Sequence, residues 1–137
     1  MESVSIGRLA GLLGLLLIST WLLPNRVEAL GIGPLSLENV TGHLDLSNSS
    51  NRLIKVEIQV FPLRIVNGKP TAGITAIDAE KAELIVRIRP QYFRLGPKGS
   101  RHISYRILHA HEPFYICGIS RNGLLVLRVC SRWPGLK

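Results

Sequence analysis

No G-x-S-x-G turn, H-E-x-x-H helix, phosphate loop or dinucleotide fingerprint occurs anywhere in the 137 residues, which excludes the motif-borne routes to hydrolysis, phosphoryl transfer and hydride transfer. The carboxylates are few, nine in all, and scattered, so no pair is placed for acid–base work. His109 and His111, followed by Glu112, can face one way along a strand, but two ligands at i and i+2 do not close a metal site. No other His or Cys stands at a matching spacing; His43 and His102 are lone strand-face residues. The chain is therefore read as a non-enzyme with no cofactor and no metal. Basic blocks of five or six residues are also missing, so a nucleic-acid tail is not indicated. From Leu30 onward no amphipathic stretch of helical period is long enough to count.

Cysteine is scarce too, with only Cys117 and Cys130, and neither has a nearby base in a cleft that would make a catalytic thiol. Both fall on the same face of a C-terminal hairpin. A turn at Asn122-Gly123 makes them diagonal neighbours, and a turn at Gly123-Leu124 makes them directly opposed. Opposed cross-strand pairs have Cβ atoms about 5 Å apart, near what a disulfide accepts. The two open readings are a disulfide, permitted in an exported protein, and two small buried hydrophobes that never bond.

What is present begins with an apolar run. Met1 to Ala29 reads as a secretory signal peptide: Arg8 in the n-region, Leu9 to Leu23 as the core, Pro24 closing it, and Val27-Glu28-Ala29 with small residues where signal peptidase reads. The alternative is an uncleaved anchor, for which the run is short, since a bilayer core wants about 20 apolar residues. The mature chain would begin at Leu30, form one domain over 30–137, carry no membrane span and reside in the periplasm or be secreted. Arg8, Arg26, Glu2 and Glu28 leave together, so the net charge of +8 stays on a smaller body. That favours acidic partners: anionic lipid headgroups, polyanionic envelope polymers or an acidic protein.

The rest is strand after strand. Leu35, Leu37 and Val40 suggest a first strand entering from Gly31-Ile32-Gly33-Pro34, and Leu44 and Leu46 point inward on a second. Ser47 to Asn51 signals a turn. Ile54, Val56, Ile58 and Val60 alternate with polar residues, and Pro62 closes that strand. Asn67-Gly68-Lys69-Pro70 marks a loop, and a short edge strand is expected around Ile74 to Ile77. Leu84, Val86 and Ile88 alternate with Ile85, Arg87 and Arg89 until Pro90, and Ile103, Tyr105 and Ile107 repeat the pattern. Between them Phe93 and Leu95 pin the connection to the core, and Pro97-Lys98-Gly99 turns the chain. The final hairpin runs Phe114 to Ser120 against Leu124 to Trp133, with Asn-Gly suiting a type I′ turn. It sets Phe114, Ile116, Leu125, Leu127 and Val129 on one face. Tyr115, Cys117, Ile119, Val126, Arg128, Cys130 and Arg132 take the other, which is too apolar to be plainly solvated. About seven short strands at near-regular spacing predict an all-β, immunoglobulin-like antiparallel sandwich.

The order of these motifs resembles the first domain of periplasmic pilus-assembly chaperones of the PapD-like family. Its carriers are the opening Pro34-Leu35, the strand end His43-Leu44-Asp45-Leu46-Ser47-Asn48, the Val56 to Val60 strand, the Pro90 to Pro97 connection with Phe93 and Leu95, and the terminal Phe114-Tyr115 and Leu124 to Trp133 strands. The resemblance implies a chaperone that holds an incomplete exported subunit by lending it an alternating apolar strand. The lender would be the last strand, with Leu125, Leu127 and Val129 entering the subunit's groove. The family also anchors the subunit's C-terminal carboxylate with two basic residues. Here Ser36 stands at one position, and Arg128 is the nearest basic residue to the other. Family members have a second domain after the position of Trp133-Pro134. The alternative reading is a stand-alone secreted module whose basic face, with Arg87 and Arg89, holds an anionic envelope polymer or lipid surface.

Overall fold

Alternation of apolar and polar residues builds almost every element. The computed structural model describes residues 29–136, so the signal-peptide expectation lies outside the described residues. In chain order the elements are β1 (Leu30–Gly33), β2 (Thr41–Asn48), β3 (Ile54–Val66), β4 (Lys69–Ala72), α1 (Ala79–Ile85), β5 (Val86–Arg89), β6 (Tyr92–Leu95), β7 (Ser100–Ile107), β8 (Phe114–Asn122) and β9 (Leu125–Trp133). Two antiparallel sheets form a sandwich: β1-β2-β7-β5, and β4-β3-β8-β9 with β6 also on β3. The all-β immunoglobulin-like architecture is as the sequence predicts.

Between the sheets, Leu44, Leu46, Ile103, Ile107, Val86 and Ile88 meet Val56, Ile58, Val60, Phe93, Leu95, Phe114, Ile116 and Trp133. Each such burial stabilises the fold by roughly 1.5–3 kcal/mol. Gly118 of β8 makes the closest approach: a Cβ there would stand 2.5 Å from Leu46 Cδ2, so only glycine lets that leucine cross. Asn48 is buried at the end of β2. Its Nδ2 donates to the carbonyls of Arg52 (2.6 Å), Leu95 (3.2 Å) and Gly96 (2.9 Å). Its Oδ1 accepts from the backbone N–H and hydroxyl of Ser50. A buried amide satisfied on both sides fixes the β2–β3 turn against the end of β6.

A second, smaller core lies on the outer face of the five-stranded sheet: Phe61, Ala72, Tyr115, Cys117 and Ile119, flanked by Leu63, Ala76 and Cys130. It is what covers the second apolar face of the last hairpin. The chain after β4 folds over it, held by Gly73 N–H to Pro62 O and Ile77 N–H to Val60 O, both 2.8 Å.

Four expectations need correction. Residues 74–77 form no strand; Ile77 takes one backbone bond and the chain passes into α1. That helix is the second correction. Ala79-Glu80-Lys81-Ala82-Glu83-Leu84-Ile85 is a run of mostly strong helix formers, so Leu84 sits exposed on the helix and the strand starts only at Val86. Third, Pro62 does not end β3. Its register partner is Phe114 of β8, but its missing N–H lies on the opposite edge, where its carbonyl receives Gly73, so no ladder bond is lost. Fourth, the opening strand is Leu30–Gly33, while Leu35 and Val40 are exposed and only Leu37 is buried.

Candidate strand-addition edge

β9 is an edge strand whose two halves are finished differently. Arg132 directs its backbone away from β8: its carbonyl accepts from Leu37 N–H (2.8 Å) and its N–H donates to Leu35 O (2.9 Å). Ser36 thereby bridges to Arg132 in parallel. Ser131 Oγ donates to Pro34 O at 2.6 Å, and Trp133 Nε1 to Ala110 O at 2.8 Å. Backbone groups of an antiparallel strand alternate in direction residue by residue. The groups of Val126, Arg128 and Cys130 therefore point to the same side as those of Arg132, and no backbone partner meets them among the described residues. Leu125 to Cys130 is an open edge of about 20 Å.

The side chains along this edge fall on two faces. Leu125, Leu127 and Val129 share the inter-sheet face; Leu125 is 71% exposed and Leu127 36%, and only Val129 packs on the core. The expected core face therefore holds only from Val129 onward. The reason lies in β3, whose ladder with β8 stops at Glu57↔Ile119. Ser120 to Leu127 project past it as a two-stranded ribbon, tipped by the fully exposed Leu124. Glu57 tethers the ribbon's base: its Oε2 pairs with Arg121 Nη1 at 3.3 Å, and its Oε1 accepts from Gln59 Nε2 and Tyr92 Oη. That hydrogen bond, with the carboxylate's charge, holds the Tyr92 phenol above its ordinary pKa.

Register within the hairpin is set at Gly123. Asn122 pairs with Leu125, so the turn residues are Gly123-Leu124. Gly123 has φ 60° and Asn122 has no positive φ, the backbone of a II′ rather than a I′ turn. The I′ conformation occurs instead at Asn67-Gly68, with φ 52° and 75°, between β3 and β4. With the turn at Gly123-Leu124, Cys117 stands opposite Cys130 and the two are disulfide-bonded.

Arg128 lies on the face opposite the leucines. Its guanidinium stacks 4.7 Å from the centroid of Phe61, and Nη1 donates to Gly73 O at 2.7 Å. Ser36 is not beside it; the neighbour of Ser36 is Arg132, four residues further along β9. Arg132 Nε is buried with no partner among the described residues. The parallel bridge that places Arg132 beside Ser36 cannot be read from strand periodicity.

No family model and no curated protein matches the sequence. Solved structures do. The chain is similar to the Escherichia coli chaperone DraB, with TM-score 0.52 and 14% identity over 78% of this chain and 54% of that one. A chaperone–tip adhesin complex of CFA/I fimbriae biogenesis matches with TM-score 0.57 and 14% identity over 80% and 59%. The class 5 fimbriae chaperone CfaA matches with TM-score 0.54 and 13% identity over 79% and 57%. The chain thus spans somewhat over half the length of these proteins. Residues 29–136 share an immunoglobulin-like β-sandwich fold with these fimbrial chaperones.

Proposed function

We propose that this protein is a periplasmic or secreted chaperone-like domain that binds an exported protein segment by β-strand addition along β9. The observation that carries this reading is the open half of β9: unpaired backbone on Val126, Arg128 and Cys130 beside exposed Leu125 and Leu127. An exposed apolar edge is an aggregation hazard unless a partner covers it. An incoming strand would take main-chain hydrogen bonds from the even-numbered residues and lay its own apolar side chains beside Leu125, Leu127 and Val129. The fold likeness to chaperones, one of them in complex with a tip adhesin, supports an exported subunit as the partner class. The role is binding, with no catalysis, cofactor or metal.

The test is binding of a peptide with alternating apolar residues to the protein and to Leu125→Asp and Leu127→Asp. Each substitution should reduce binding at least tenfold with an unchanged circular dichroism spectrum, because neither residue is a core residue. Equal binding by all three proteins would remove the proposal.

A further inference from the structure

The outer face of the four-stranded sheet is largely polar and exposed. Along it, rows of exposed residues cross the strands: His43, Ser104 and Arg89, then Thr41, Arg106 and Arg87. Asp45 and His102 form an ion pair in the row before. Arg106 and Arg87 are direct cross-strand partners, and like charges in that arrangement destabilise a sheet. Of the other arginines, Arg121 meets Glu57, Arg128 stacks on Phe61 and Arg101 on Phe93, whereas Arg52, Arg64, Arg94 and Arg132 have no ion-pair partner among the described residues. Arg89 reaches Glu83 at 3.9 Å. Among the described residues Arg87 and Arg106 have no ion-pair partner.

The same end of the sheet exposes aliphatic side chains. Leu108 continues the face two residues after Arg106, its N–H bonded to Ile85 O. Val40, whose carbonyl takes Ile107 N–H, and Leu84 of α1 are exposed beside it. A soluble polyanion would use the guanidinium groups and leave these aliphatics in water. A headgroup layer uses both, since cations meet its phosphates while aliphatic side chains enter the acyl boundary. From the unpaired cross-strand arginines and their aliphatic rim we infer that this face docks on an anionic phospholipid surface. The inference does not depend on strand addition, because it uses the other sheet.

Vesicle co-sedimentation of the mature chain, from Leu30 onward, tests it. Phosphatidylcholine vesicles with a quarter phosphatidylglycerol should bind the protein, and pure phosphatidylcholine should not. Binding should weaken as salt rises, by screening. Arg87→Gln with Arg106→Gln should lower it roughly tenfold, at about fivefold per charge or less. The Lys/Lys pair should retain binding, and Leu84→Ser with Leu108→Ser should lower it several-fold. Leu125→Asp should leave it intact, which separates this site from the β9 edge. Equal binding to neutral vesicles, or salt-independent binding of the unmutated protein, would overturn the inference. So would retention on heparin lost with the arginines while the Leu84/Leu108 variant still binds vesicles normally, which would make the face a polyanion site.

Discussion

The two halves of β9 end in states opposite to their composition: Ser131-Arg132-Trp133 is closed, and the more apolar Leu125 to Cys130 is open. From Ser131 to Trp133 the outer edge is occupied by Leu35 and Leu37, the serine and indole donors are bonded, and Trp133 is 2% exposed. From Leu125 to Cys130 the backbone on that side is unpaired and the leucines stand in water. Apolar character alone therefore does not decide burial. What decides it is whether neighbouring chain reaches that far: β3 stops pairing with β8 at Glu57, and Leu35 to Leu37 reaches only Arg132. The closed half anchors the strand, and the open half is left available.

The sharpest way to break the contrast is to truncate one residue at each end. Trp133→Ala should cost about 3–5 kcal/mol of unfolding free energy, through lost burial and a cavity, together with the bond to Ala110 O. Leu125→Asp should change stability by no more than about 0.5 kcal/mol, as for an ordinary surface position. Urea denaturation of the two variants measures both. A Leu125→Asp loss comparable with that of Trp133→Ala would mean the ribbon is core after all.

The disulfide stands at the boundary between the halves. Cys117 and Cys130 are 13 residues apart in sequence, and closing a loop of that length stabilises by about 3 kcal/mol in the chain-entropy treatment. The Cys117→Ser/Cys130→Ser variant should lose about that much or somewhat less, because the ladder already closes the hairpin. Amide hydrogen exchange should rise at Leu125, Leu127 and Val129 and stay slow at Ser131 and Trp133. Uniform acceleration along β9 would show that the two halves open together.

The sandwich was legible in the sequence because period two survives wherever one face is buried, as in Leu44 and Leu46 or Ile103, Tyr105 and Ile107. It misleads at Leu84, where the same spacing crosses a helix boundary that propensity marks more clearly; at Asn122-Gly123 it leaves both turn positions open, because a one-residue shift of the turn keeps the faces and changes only the cysteine pairing. Parity places the leucines of the candidate edge on the correct face. Their exposure was not legible, because it depends on where β3 and the opening segment stop. Arg132 beside Ser36 follows from a long-range parallel bridge, which no local pattern encodes.

The smallest expected effect concerns Arg128. Its side chain remains exposed while it stacks on Phe61 and donates one bond to Gly73 O, so the rest of the guanidinium fork is free to take a carboxylate. A peptide laid along the edge with its C-terminus at this position would gain about 1.5 kcal/mol, the lower end for a bond to a charged group, since the site is wet and Ser36 lies elsewhere. The free acid should then bind roughly tenfold more tightly than the amide, and Arg128→Ala should remove that difference. The same substitution loses the ring stack and the Gly73 bond, so a modest drop in stability should accompany it whichever peptide is used. The acid–amide ratio separates the two roles. A ratio near one on the unmutated protein, with the stability loss intact, would make Arg128 a clamp for the segment over the second core and nothing more.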